Sequence, residues 1–260
     1  DGLRIGASGL YSEVWPGDWR RLDADNTKTE AFEIRASILP LQSQRQTLTL
    51  TLAAGFSNVA ERDFFGPIYN DAIRTLSLNG DYRLQDNFGG TNYLTVNWRQ
   101  GLDVLGASDK SDPWTSVFGA SPKFSALNFW FTRYQTLGDS FSLKLASAGQ
   151  MASGPMYLSQ QFYLGGLAFG RGYGAAEIHG DNGIAGSLEL RYDRKLNYTY
   201  FTGFQLYSFV DSGLVWWDGY RPSDGTALTS AGGGVRLYLG GDLQADLGVA
   251  VPLGYRAPDN

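Results

Sequence analysis

Thr47-Leu48-Thr49-Leu50-Thr51-Leu52 alternates a hydroxyl residue with a leucine without a break. Successive side chains of a strand point to opposite faces, so a period of two places the leucines on one face and the threonines on the other. The pattern covers 46–57 and recurs. In 91–102, Leu94, Val96 and Trp98 alternate with Thr95, Asn97 and Arg99. In 184–194, Leu188, Leu190 and Tyr192 alternate with Glu189, Arg191 and Asp193, and in 230–240, Val235, Leu237 and Leu239 alternate with Gly234, Arg236 and Tyr238. Eleven candidate strands follow, at about 2–13, 29–39, 46–57, 72–84, 91–102, 123–135, 140–150, 184–194, 199–212, 230–240 and 242–251. No helical stripe competes over a comparable length.

The connections carry a second regularity. Segments 40–46, 85–90, 136–139, 195–198 and 240–242 are short, and 14–28, 58–71, 103–122, 151–183 and 213–229 are long. Strict short–long alternation has no cause in a β-sandwich. It is the pattern of an outer-membrane barrel, with tight periplasmic turns at one rim and long external loops at the other. The polar faces carry Glu33, Arg35, Arg83, Arg99, Lys144, Glu189, Arg191 and Asp211. Charges of both signs on one side fit a wet lumen, whereas a sandwich buries an apolar face against a second sheet. Tyr11, Trp15, Trp19, Phe64, Phe65, Trp98, Tyr134, Tyr198, Tyr200, Trp216, Trp217 and Tyr220 fall near strand ends, where an aromatic girdle would sit at the lipid–water boundary. The expected fold is all-β, an antiparallel transmembrane β-barrel; the alternative is a soluble up-and-down barrel or sandwich with solvated outer faces.

Composition agrees. Aromatics make up 14% of the 260 residues and there are 34 glycines, a balance that favours β structure. No apolar run is long enough for a transmembrane helix, which does not exclude a barrel. A net charge of −5 and a pI near 4.9 argue against a nucleic-acid partner. The absence of cysteine excludes disulfides, thiolate metal sites and cysteine nucleophiles. The chain opens at Asp1 without a methionine or a signal peptide, as expected of a mature fragment.

The segment Phe162-Tyr163-Leu164-Gly165-Gly166-Leu167-Ala168-Phe169-Gly170-Arg171-Gly172-Tyr173 stands apart. It is Gly-rich, holds one arginine and lies in a loop of about 30 residues, a length usually tied to function. It resembles the FxLGGxxxVRGY signature of two-partner secretion transporters of the TpsB, haemolysin-activator (ShlB/FhaC/HecB) type, within the superfamily that includes the barrel-assembly insertase. Arg171-Gly172-Tyr173 matches, and Gly170 stands where the family usually has Val. Gly186-Ser187-Leu188-Glu189-Leu190-Arg191 resembles the strand after this loop, and Phe209-Val210-Asp211-Ser212-Gly213 matches the FxDxG strand motif.

The resemblance implies a sixteen-stranded barrel whose signature loop, 151–183 here, folds into the lumen. The eleven strands would be the family's fifth to fifteenth. The first four strands, the last strand and the periplasmic POTRA domains are then expected outside residues 1–260. The loop tip would be Gly170, Arg171, Gly172 and Tyr173, backed by Phe162, Leu164, Gly165 and Gly166. Parity adds a physical partner. In 209–213, Phe209, Asp211 and Gly213 share the face opposite Val210, so Asp211 points inward if Val210 meets lipid, and Glu189 does likewise. An inward carboxylate offers an arginine a bidentate, charge-assisted contact. Gly213 leaves room for the loop.

Other signals are discounted. His179 is the only histidine and no GxSxG elbow accompanies it, so no hydrolase triad is read. Gly170-x-Gly172-x-Gly174 precedes no helix and is no dinucleotide fingerprint. Asp181-Asn182-Gly183 reads as a turn rather than a calcium site, and the sequon Asn197-Tyr198-Thr199 as chance. The expected function is translocation of an unfolded partner, a secreted exoprotein of adhesin or haemolysin type, across the bacterial outer membrane to the cell surface. Outer-membrane lipid is expected around the barrel. No enzyme activity, cofactor, metal, nucleic acid or small-molecule substrate is expected. A barrel insertase of the same superfamily and a passive porin are the alternatives.

Overall fold

The computed structural model describes residues 2–16, 25–219, 224–240 and 243–256. Eleven strands form one antiparallel sheet in the order β1-β2-β3-β4-β5-β6-β7-β10-β11-β12-β13, and β8 pairs β9 in a small second sheet. The main strands are β1 (Arg4–Val14), β2 (Asn26–Gln42), β3 (Gln46–Asp63), β4 (Gly66–Gln85), β5 (Gly90–Gly101), β6 (Ser125–Thr136) and β7 (Phe141–Ala152). After the long loop come β10 (Asn182–Lys195), β11 (Phe201–Trp216), β12 (Thr226–Leu239) and β13 (Leu243–Arg256). The loop itself holds a 3-10 turn, Leu158–Gln160, and the strands β8 (Phe162–Leu164) and β9 (Ile178–Gly180). Each main strand pairs the next one along the chain, across short and long connections alike, as consecutive elements tend to lie side by side. Among the described residues no pairing joins β1 to β13, so these two are the sheet's edges.

Alternation sorts the faces. Ile34, Ile38, Leu52, Leu78, Val96, Leu127, Leu145, Leu188, Leu190, Leu206 and Val210 are exposed on the outer face, the arrangement of a lipid-facing band. The inner face carries Thr51, Ser77, Asn79, Asp81, Asn97 and Arg99 on β3 to β5, which stand opposite one another in register. The outer face turns polar beyond Phe32 and Phe56. There Lys28 pairs Glu30 at 2.6 Å, and Arg74 donates to Asn58 Oδ1 at 2.9 Å. That change marks the external membrane boundary.

Two expectations need correction. The segment 58–71 is no long loop: β3 and β4 run on to a tight turn at 63–66. The Asp63 carboxylate accepts from the Phe65 and Gly66 amides at 2.8 and 2.9 Å, and Gly66 takes φ +137°, which suits glycine alone. Phe64 and Phe65 therefore cap a ribbon that rises above the level of Gly101, whose partner is Thr75; they are no girdle. Tyr134 also fails as a girdle residue. It points inward, edge-on to Tyr93 at 6.1 Å and under the Arg191 guanidinium at 5.5 Å. Trp19 and Tyr220 lie outside the described residues.

Apolar burial is concentrated where loops meet the inner wall, because the outer face meets lipid. One cluster joins Leu164, Phe169 and Ile178 of the long loop to Ala146, Ala148, Ala185, Val215 and Leu228 of the wall. A second joins Met156 and Tyr157 to Ile73, Ala120, Phe124 and Ala126. It ties the long loop to the 102–124 connection, with the Tyr157 hydroxyl donating to the Ser108 carbonyl at 2.8 Å. Burial pushes the Tyr157 hydroxyl up to about 12, so it stays a donor.

Candidate functional site

The loop's path inward begins at a polar hub. Gln150, on the inner face of β7, donates to the Gln160 and Asp181 carbonyls at 3.0 and 2.9 Å. The buried Asp181 carboxylate accepts from the Met156 amide at 2.8 Å, from Gln161 Nε2 at 3.1 Å and from the Asp218 amide at 2.9 Å. Asp181 thus joins segments far apart in the chain rather than closing a local turn, and Asn182 and Gly183, read as part of that turn, open β10 instead. His179 Nδ1 lies 2.6 Å from Gln161 Oε1, and its ring stacks on Tyr163 at 5.5 Å. Among the described residues no group of three His, Cys, Asp or Glu is placed to share a metal.

From that hub the β8–β9 hairpin projects its closed end into the barrel. Leu164 is buried against the wall, and a Cβ on Gly213 would stand 2.5 Å from its Cδ1. Gly213 is therefore the recess that admits Leu164. Phe162 lies against Gly183, where a Cβ would overlap its ring. Gly165 and Gly166 leave β8 at φ +109° and +87°. The Gly165 amide then donates to the Phe169 carbonyl at 3.0 Å, and Phe169 meets Trp130 at 5.0 Å. Gly170, at φ +89°, would bring a Cβ within 2.6 Å of Leu228 Cδ1.

The tip closes on two carboxylates. The Arg171 guanidinium donates in a fork to Asp211, Nε to Oδ2 and Nη2 to Oδ1, both at 2.9 Å. Its Nη1 donates to Glu189 Oε2 at 2.5 Å, and Nη2 also reaches Ser187 Oγ at 3.1 Å. The Arg171 and Gly170 amides donate to the same Asp211 oxygen at 3.1 and 3.3 Å. Phe209 lies beneath, with the guanidinium carbon 3.3 Å from its ring centroid, a cation–π contact that strengthens out of water. Asp211 and Glu189 side chains are 0% and 2% exposed, and that of Arg171 is 15% exposed. Gly172 fits because a Cβ there would lie 2.7 Å from the Val251 backbone. The Tyr173 hydroxyl, 2.6 and 3.1 Å from the Gly254 and Thr229 carbonyls, ties the tip to β13 and β12.

The wall thus brings Glu189, Phe209, Asp211 and Gly213 around the loop residues named from the sequence. Other members come from cross-strand register. Glu189 also accepts from Arg191 Nε at 2.7 Å and from Arg236 Nη1 at 3.2 Å. Arg236 in turn donates to Asp246 at 2.9 Å and lies 4.1 Å over the Tyr207 ring. The signal for Arg236 was its inward parity on β12; its reach to Glu189, two strands away, was not readable along the chain.

The family described as haemolysin secretion/activation protein ShlB/FhaC/HecB matches residues 12–237. No curated protein sequence matches the chain. Among solved structures, CdiB from Escherichia coli superposes with a TM-score of 0.76 at 16% identity, over 99% of this chain and 48% of that one. CdiB from Acinetobacter baumannii gives 0.70 at 17%, over 99% and 44%. BamA from Haemophilus ducreyi lacking POTRA domains 1-3 gives 0.66 at 13%, over 97% and 56%. At these identities the structures establish the shared fold, and the chain spans about half the length of each. Taken with the sheet, the lipid-facing band and the inward arginine loop, the match over most of its length makes this chain a member of the haemolysin secretion/activation (ShlB/FhaC/HecB) family of bacterial outer-membrane β-barrel proteins.

Proposed function

We propose that this chain supplies the wall and inward loop of an outer-membrane transporter that passes an unfolded partner protein to the cell surface. The observation that carries the reading is the Arg171 tip held by Asp211 and Glu189 inside the barrel. A loop fixed by charge inside a polar lumen blocks free passage, and it leaves by exchanging hydrogen-bond partners. A transporter for one large substrate needs that gate, whereas a porin constricts its pore with charged rings and conducts steadily. The substrate is a secreted exoprotein of adhesin or haemolysin type, and lipid surrounds the outer face. No catalytic step, cofactor, nucleic acid or small-molecule substrate enters this reading. The eleven-stranded sheet is read as part of a sixteen-stranded barrel, completed by further strands and served by POTRA domains of a longer protein.

The test is Arg171→Ala in the full-length protein, scored by surface appearance of the partner and by heat-modifiability of the barrel. Secretion is expected to fall while insertion persists, because lipid-facing strands govern insertion. Normal secretion by the variant would overturn the reading. Loss of outer-membrane protein assembly with secretion intact would favour an insertase.

A further inference from the structure

We propose that the lumen holds a second site, seated on Arg99 and Asn97, that binds an extended polypeptide segment through one of its acidic side chains. The proposal rests on the transport reading only in taking polypeptide as the cargo. A cavity of about 540 Å³ lies between the inner wall of β1 to β5 and the 3-10 turn of the long loop, lined among others by Glu33, Ser77, Asn97, Arg99 and Gln160. The Arg99 guanidinium has one protein partner among the described residues, the neutral Gln160 Oε1. No described carboxylate lies within 4.0 Å of it. Arg133, Arg171, Arg191 and Arg236 each have one. A guanidinium presents five donors in a planar fork that fits a carboxylate, so most of its capacity faces the cavity.

Asn97, two residues back on the same face of β5, has the opposite deficit. Its Oδ1 is buried and has no donor. An acid-seeking donor and an amide-seeking acceptor therefore stand about 6.6 Å apart along one strand. That is also the repeat of alternate residues in an extended chain laid along the wall. An acidic side chain would meet Arg99, and an N–H of the segment would reach Asn97 Oδ1 once its carboxamide turns from the sealed position toward the cavity. Around them Ser57, Thr75 and Ser77 supply hydroxyls, and the one carboxylate of the lining, Glu33, is paired with Arg35 at 3.3 Å, so the segment is gripped at Arg99 and slides elsewhere.

Residues 1–260 lack cysteine, so Ser77→Cys in the full-length protein, with any cysteine outside these residues replaced by serine, places a single reporter in this cavity, opposite Arg99 in register. The probes are a short Ser/Thr peptide with one central Asp, the same peptide with Asn, and acetate. The Asp peptide is expected to slow maleimide labelling of that cysteine about tenfold, as a charge-assisted bond would, and the Asn peptide is expected to leave it unchanged. Adding Arg99→Gln should abolish protection, and Arg99→Lys should weaken it by removing the fork. Equal protection by both peptides, or protection that survives Arg99→Gln, would overturn the site. Acetate protecting as well as the Asp peptide would overturn the polypeptide assignment. Should Arg99→Gln fail to fold, the Asp–Asn comparison with Arg99 intact decides alone. Labelling does not depend on secretion: absent protection with Arg171-dependent secretion removes this site and leaves the transport reading standing.

Discussion

Arg171 places a full charge against two carboxylates that are nearly sealed from solvent, so removing either side leaves an uncompensated ion. A fully buried pair broken this way costs about 3–5 kcal/mol; lumenal water lowers that to about 1–3 kcal/mol of loop anchoring. Asp211→Asn keeps the shape and removes the charge. It should reproduce the Arg171→Ala secretion defect, and the double variant should be less than additive because both act through one contact. Fully additive secretion defects would show that the contact is not the mechanism. Gly170 makes a sharper case. The family residue at this position is usually Val, yet here φ is +89° and a Cβ would meet Leu228 Cδ1 at 2.6 Å. Gly170→Val should therefore loosen the tip, at about 1–3 kcal/mol for a β-branched residue in that region. Faster proteolysis of the loop than in the parent would register it, and unchanged cleavage would refute it.

At the scale of elements, the turns repeat one device, a carboxylate closing on backbone amides. Asp86 does this between β4 and β5. Its Oδ1 accepts from the Phe88 and Gly90 amides, both at 2.9 Å, and its Oδ2 pairs with Arg133. The Arg133 guanidinium, helped by the Gly90 amide, holds the Asp86 carboxyl well below the usual carboxylate range. A depressed folded-state pKa stabilises fully above the unfolded value, near 4, and that contribution drains away as pH falls through it. The stability gap between the parent and Asp86→Asn should therefore be largest above about pH 5 and shrink toward about pH 3. Unfolding midpoints across that range measure it, and a constant gap would count against the assignment. The same device ended the expected loop 58–71: Asp63 and Gly66 close β3 onto β4, so alternation extends farther than the segment's polar composition suggests.

For the whole molecule, the two faces of one sheet meet different solvents. Leu78 lies on the outer face near the middle of the span, and Asn79 is its inward neighbour. Leu78→Lys should cost about 2–4 kcal/mol of folding into vesicles, as a lysine does at the bilayer midplane. Asn79→Lys should stay within about 0.5 kcal/mol, with Asp81 beside it. Folding titrations in lipid vesicles compare them directly. Equal costs would mean that the faces are misassigned.

Local order in this protein was legible because strand parity is a local property. Leu48, Leu50 and Leu52 announce a strand with no knowledge of its neighbours, and Val210 beside Asp211 says which of the two points inward. All eleven main strands, the short turns and the inward carboxylates were readable that way, and the resemblance located the arginine tip. Register was not readable. Glu189 meets Arg236 only because β10, β11 and β12 are aligned in one particular stagger, and many staggers preserve the same alternation. Tyr134 shows the limit from another side. Its place near a strand end suggested lipid, and only pairing with β5 showed that it packs beside Tyr93 on the inner face. The sequence by itself determined that there is a barrel-type wall with polar and apolar faces, since a period of two needs only the chain. The tertiary structure alone decided which charges meet across strands and how deep the loop sits, because stagger and curvature are set by contacts distant along the chain.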